Sequence, residues 1–218
     1  MRYKIVIDSC GELLDEWKND ERFESVPLTL MVGAEQIIDD ETFNQADFLK
    51  KVAACPECPK SACPSPERYM RAYNCEAEHI YAVTLSSELS GSYNSALLGR
   101  NLVLEDHPEK KIHVFNSRSA SIGQSLIGMK IRECEEAGMS FEDVVETVEH
   151  YIEGQHTFFV LENLDTLRKN GRGKFLMCKF FADIYRFNFT DQNLGFRRNC
   201  NASHFSDSSC FLTYDLGI

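Results

Sequence analysis

At 218 residues, with 43% apolar and 26% charged residues, the chain has the composition of a globular protein large enough to bury a core, not that of a disordered one. Its formal net charge of -11 repels phosphate backbones and anionic headgroups. Positive charge clusters at Arg197-Arg198 and along Lys169, Arg172 and Lys174, both readable as solvated surface, so nucleic acid is not an expected partner.

The apolar stretch within Met1 to Asp8 is far too short for a secretion signal, and no later run approaches a membrane span. The expected location is therefore the cytoplasm, with no integral membrane segment and with the nine cysteines as reduced thiols.

Short apolar runs alternate with helical patterns, which predicts an α/β fold built on a parallel sheet covered by helices. Ile5-Val6-Ile7 is the first strand, and an acidic helix from about Leu13 to Lys18 follows. Val26 to Leu30 is a second strand, which Pro27 confines to an edge or a strand start. Asn44 and Asp47 form an N-cap pair for a helix through Ala54, with Ala46, Leu49, Val52 and Ala53 toward the core. After a proline-punctuated loop, Ser65-Pro66-Glu67 opens a helix to about Asn74.

His79 to Leu85 is a strand ending in Ser86-Ser87, followed by a helix from about Tyr93 to Leu104 and a strand from Lys111 to Phe115. A helix from about Ser119 stops at Gly138, with Gly123 and Gly128 permitting close packing. Ser140 caps the next helix, with Asp143 at the capping-box position and Phe141, Val144, Val145, Val148 and Ile152 along one face. His156 to Leu161 is a strand, and Leu164 to Lys169 a short helix closed at Gly171. From Gly173 onward the alternation stops and no run has a convincing period.

Ligands of parallel sheets sit beyond the carboxyl ends of the strands. Four segments deliver polar groups there: Asp8 and Ser9; Ser61 and Ser65; Ser86, Ser87, Ser90 and Ser92; and Asn116, Ser117 and Ser119. The third, Leu85-Ser86-Ser87-Glu88-Leu89-Ser90-Gly91-Ser92-Tyr93-Asn94, joins strand to helix through hydroxyl residues and one glycine. Such a turn suits an anion, since unpaired helix amides and a serine hydroxyl can meet the same oxygen. On local sequence alone, an ordinary serine N-cap is the simpler account.

This segment resembles the Ser-Gly-Thr-Tyr loop of the DegV family of bacterial fatty-acid-binding proteins, and other stretches agree in order. Val6-Ile7-Asp8-Ser9 and Val26-Pro27-Leu28 resemble the family's first two strands, and Ser61-Ala62-Cys63-Pro64-Ser65 its Thr-Ser-Gln-Pro-Ser loop. Phe115-Asn116-Ser117 and Leu164 to Arg172 also fit, the latter resembling a Leu-x-x-Leu-x-x-Gly-Gly-Arg signature. Ser61 and Ser92 replace threonine but keep the hydroxyl, Cys63 replaces glutamine, and Asn170 replaces glycine.

The resemblance implies a DegV-like α/β lipid-binding domain over residues 1–172, with 173–218 an atypical tail and the second domain incomplete. It implies a long-chain fatty acid whose carboxylate meets Ser61 and Ser90, binding rather than chemistry, no cofactor, and a separate fatty acid kinase as partner. The family's later His-x-Gly-Pro-Gly stretch is missing, and the tail carries only His204. Burial of the acyl chain, at about 0.8 kcal/mol per methylene, would dominate affinity, and the hydroxyls would set orientation.

Other readings stand beside this one. A serine hydrolase acting on acyl esters would use the same serines, but there is no Gly-x-Ser-x-Gly elbow and no histidine positioned as a base. Gly-x-Gly-x-x-Gly and Walker patterns are both absent. Cys55-x-x-Cys58, with Cys63 and Cys75 nearby, has half the spacing of a zinc site.

Overall fold

The computed structural model describes residues 1–161 and 209–214. Four strands, β1 (Tyr3–Asp8), β2 (Phe23–Val26), β6 (His79–Thr84) and β7 (Lys111–Asn116), form a sheet in the order β2-β1-β6-β7, and every pairing in it is parallel. Between β2 and β6 the chain builds a second, antiparallel sheet of β3 (Thr29–Val32), β4 (Glu35–Ile38) and β5 (Lys60–Ala62), in the order β4-β3-β5.

Alternation of side chains along each strand divides the parallel sheet into two faces. Val6, Ile80, Ala82, Ile112 and Val114 turn to one face and pack with Tyr69, Ala72 and Tyr73 of α2 (Pro66–Tyr73) and Ala96 and Val103 of α3 (Ser92–Asp106). Ile5, Ile7, Tyr81, Val83 and Phe115 turn to the other. They meet Ile127 and Ile131 of α4 (Ile122–Glu136) and Val144, Val148 and Ile152 of α5 (Phe141–Gly154). Both faces are covered by helices, as an all-parallel sheet requires.

Local chemistry accounts for the helix starts. The Asn44 side chain accepts the Asp47 amide at 3.0 Å to open α1 (Gln45–Ala54), and Ser140 accepts the Asp143 amide at 3.2 Å to open α5. Pro66 occupies the first turn of α2 behind Ser65. Gly128 lets α4 lie against β1, where a Cβ would stand 3.1 Å from Ile7 Cδ1.

Several expectations change. The segment from Leu13 to Lys18 forms no helix: Leu13 and Leu14 are irregular and turns follow from Asp15, with the Trp17 amide donating to Leu14 O at 2.8 Å, since so short a run makes too few helical bonds to offset nucleation. Val26 to Leu30 is not one strand: β2 ends before Pro27, which has no amide for the ladder, and β3 begins at Thr29 in the other sheet. The link is fixed by Arg68, whose Nη1 donates to Pro27 O at 3.1 Å. The proline-punctuated loop contains β5. In α1 the buried residue is Phe48, while Leu49 is 41% exposed and Ala46 and Ala53 also face outward. Helix α4 begins at Ile122 rather than Ser119.

The strand β8 (His156–Leu161) forms as expected but leaves the parallel sheet, pairing antiparallel with β9 (Ser209–Tyr214) in full register from His156↔Tyr214 to Leu161↔Ser209. The helix expected at Leu164 to Lys169, and most of the 173–218 segment, lie outside the described residues.

Gly99 is where α3 crosses α2. A Cβ there would sit 2.8 Å from Pro66 O and 2.9 Å from Tyr69 Cβ, and the first of these is backbone that cannot step aside. Gly99→Ala is expected to lower stability by about 2 kcal/mol, as overpacking does. Chemical denaturation measures it, and an unchanged midpoint would mean the two helices separate freely.

Candidate functional site

Every buried polar or charged residue except Glu135 gathers where the parallel strands end and the following segments begin, among those described. The group includes Asp8, Ser9, Ser86, Ser92, Ser117, Ser119, Ser121 and Gln124. Groups buried in such number must satisfy one another, and they do so across long sequence separations.

Asp8, the last residue of β1, is fully buried. Its Oδ2 accepts the Leu85 amide at 2.7 Å and the Ser92 hydroxyl at 2.5 Å, and its Oδ1 accepts Gln124 Nε2 at 2.9 Å. Burial holds the Asp8 carboxyl above the usual carboxylate range, although hydrogen bonds from Ser92, Gln124, Leu85 and Cys10 all favour the anion. The carboxylate dictates which way the Gln124 amide faces, leaving Gln124 Oε1 buried with no partner among the described residues. Burial and the neighbouring Asp8 push the Cys10 thiol far up, so it stays protonated and is no nucleophile.

Ser9 ties the two sheets together. Its hydroxyl donates to Asp39 Oδ2 at 2.7 Å and accepts the Leu28 amide at 3.0 Å. On the β7 side, Asn116 Oδ1 accepts the Ser87 amide at 3.0 Å and its Nδ2 donates to Ser87 Oγ at 2.8 Å, joining two of the four polar segments. The chain then passes through two left-handed non-glycine residues, Arg118 (φ 50°) and Ser121 (φ 53°). Each costs about 1–3 kcal/mol and persists only where neighbours fix it. At Ser121 these are Cys10 O, which accepts its amide at 3.1 Å, and Glu12, which accepts its hydroxyl at 2.8 Å.

Ser90 lies half-buried in the turn before α3. The N-cap position is Gly91, with no side-chain cap, so Ser90 is not the simple N-cap. Its Oγ accepts the Ser92 amide at 3.2 Å, which uses a lone pair and leaves the hydroxyl proton free to donate. Beyond Ser92, the first amides of α3 have no acceptor within the helix. Ser61, also half-buried, is not on a loop at a parallel strand end but in β5, opposite Leu30.

The two serine-bearing segments meet at Cys63 and Gly91, where a Cβ on the glycine would stand 3.2 Å from the Cys63 sulfur. Ser95 Oγ reinforces the junction by donating to Pro64 O at 2.6 Å. Ser65, by contrast, is exposed and makes no side-chain cap bond. A small apolar cluster of Cys10, Leu28, Leu85 and Ala120, with Leu89 against it, lies at the same end of the sheet, apart from the two main cores.

Gln124, Ser121, Asp39 and Tyr69 were not foreseen at this site. Asp39 follows a strand too short to recognise, Ser121 and Gln124 stand at the start of α4, which the sequence placed at Ser119, and Tyr69 lies within α2, where nothing local marks its hydroxyl as part of a site. The ring nitrogens of His79, His107, His113 and His150 face Glu135, Glu109, Glu149 and Glu153 respectively, rather than a serine. Among the described residues, no group of three or more His, Cys, Asp or Glu side chains could hold a metal ion, and no helix is long and apolar enough to cross a membrane.

A family model described as "Uncharacterised protein, DegV family" matches residues 2–174. A DegV domain-containing protein of Streptococcus pneumoniae is 41% identical over 174 residues, 79% of this chain and 62% of that protein. Among solved structures, a DegV-family protein from Ruminococcus gnavus, refined with vaccenic acid, is 60% identical with a TM-score of 0.77, covering 79% of this chain and 62% of its own. The fatty acid kinase B3 protein of S. pneumoniae, loaded with linoleic acid, is 39% identical with a TM-score of 0.73, over 82% of this chain and 64% of its own. This chain thus spans somewhat under two thirds of the relatives it matches.

Proposed function

The chain belongs to the DegV family, and from that premise we propose that it binds a long-chain fatty acid by its carboxylate, with Ser61 and Ser90 as the hydroxyls that meet the acid. The observation that carries this reading is the junction of the two serine-bearing segments at Cys63 and Gly91 beside the open amides of α3. An anion there gains hydrogen bonds and a helix terminus together. The apolar cluster around Leu28, Leu85 and Leu89 offers the first methylenes a surface to lie on.

The chain carries the acid without transforming it. His79, His107, His113 and His150 each face a glutamate, and the two structural relatives were solved with fatty acids bound. Since one relative is a fatty acid kinase B3 protein, the partner proposed for this chain is a fatty acid kinase to which the carboxylate is offered. The chain divides near residue 172 into a DegV-like unit and an atypical tail over 173–218, a division supported by the family match ending at residue 174. Among the described residues, the free thiols of Cys10, Cys55, Cys58, Cys63, Cys75 and Cys134 suit a reducing cytoplasm.

Mass spectrometry of lipid extracted from the purified protein tests the proposal. A straight or lightly unsaturated fatty acid is expected at near-stoichiometric amount. Protein that emerges without lipid and takes up no added fatty acid would end it.

A further inference from the structure

The segment carrying Ser90 runs from Ser86 to Gly91, and both of its ends rest on one atom. Leu85, immediately before it, donates its amide to Asp8 Oδ2 at 2.7 Å, and Ser92, immediately after it, donates its hydroxyl to the same oxygen at 2.5 Å. A third donor, Gln124 Nε2, holds the other oxygen at 2.9 Å. No cation is paired with Asp8 among the described residues, so this buried carboxyl is held by dipoles alone and fixes the groups that supply them.

The chain of bonds continues past Ser92. Its oxygen lies 2.6 Å from the Tyr69 hydroxyl, and with the Ser92 proton committed to Asp8, Tyr69 is the donor. Tyr69 stands in α2, directly after the Ser61 to Ser65 segment, and is fully buried. One line of hydrogen bonds, Tyr69 to Ser92 to Asp8, therefore runs from the helix behind the first serine to the strand that brackets the second.

We infer that Asp8 is a positioning residue for the carboxylate site, acting through Ser92 and Tyr69 to set Ser61 and Ser90 at a common point. The inference rests on the proposed function. Asp8 does not itself touch the acid, since both of its oxygens are already occupied by donors from Leu85, Ser92 and Gln124. It acts by denying the 86–91 segment any freedom at its two ends, so that the hydroxyls need no ordering when the ligand arrives.

The test uses the full chain, oleic acid as probe, and the variants Ser92→Ala, Ser92→Thr and Tyr69→Phe, the last removing one oxygen from the core. Ser92→Ala and Tyr69→Phe are each expected to weaken oleate binding about tenfold, the effect of one buried hydrogen bond. Ser92→Thr keeps the hydroxyl and is expected to stay within about threefold of the parent, where a purely packing role would make the larger side chain the worse one. Adding Ser90→Ala to Tyr69→Phe should weaken binding by less than the product of the two separate losses. Parental affinity in Ser92→Ala, or losses that simply multiply, would overturn the inference. Amide hydrogen exchange without ligand separates it from the function itself. Ser92→Ala is expected to speed exchange in both 61–65 and 86–92, and an unchanged 61–65 segment would overturn the relay even in a protein that bound no lipid.

Discussion

Glu135→Ala is expected to cost about 3 kcal/mol of stability, as removal of one member of a buried charged cluster does, while leaving fatty acid affinity within about twofold. The Glu135 side chain is fully buried at the end of the sheet away from the serines. Its Oε1 accepts the Tyr81 hydroxyl at 2.6 Å and faces His79 Nδ1 at 2.6 Å. Arg2 Nε stands 3.0 Å from Oε2 in an ion pair that lacks hydrogen-bond alignment, and Arg2 is half exposed, so its share is small.

Truncation would strand a phenol in the core, where the Tyr81 ring stacks on Phe115 and Phe141 at 6.2 and 5.2 Å and its hydroxyl donates to Glu135. Glu135→Gln keeps an acceptor for Tyr81 and should recover part of the loss. Urea denaturation of the two variants measures both. A Glu135→Ala protein as stable as its parent would show that the last turn of α4 is not held by this cluster.

Ser90→Ala is expected to do the reverse, weakening fatty acid binding by about 1–3 kcal/mol with little change in stability, because its hydroxyl is half-buried and the lost donor matters when an anion sits there. Ser61→Ala should weaken binding less. Ser90 stands beside the open amides of α3, so the acid keeps neighbouring donors but loses the one that orients it. Ser61 belongs to a three-residue edge strand next to Cys63, and that thiol donates hydrogen bonds weakly. Calorimetric titration of oleate into each variant separates the cases, and parental affinity in both would remove the serines from the site.

The legibility of these features in sequence follows their locality. Helix α5 is readable because its cap, its acidic first turn and its apolar stripe lie within a dozen residues. The βαβ alternation is equally plain. The antiparallel sheet escapes notice because strands of three and four residues carry no usable period, and Pro27 marks a change of sheet rather than a strand start. In α1 the alanines and Leu49 suggest a core face, but Phe48 alone fills the available space.

At the site, the serines stand out as residue types, and Asp8 is visible at a strand end. Its partners are 77, 84 and 116 residues away, and no local pattern announces such bonds. Nor does the sequence reveal that α4 starts late. That shift comes from two left-handed residues, Arg118 and Ser121, which ordinary propensities would not place there.

Recognition of the carboxylate is tested most directly by titrating the purified chain, stripped of lipid, with oleic acid and with methyl oleate. The two share an acyl chain, so apolar burial contributes equally to both, whereas the ester carries no charge for the α3 amides and the Ser90 hydroxyl to meet. Oleic acid is expected to bind at least about tenfold more tightly, the equivalent of roughly 1.4 kcal/mol. Equal affinity for the two would contradict the account.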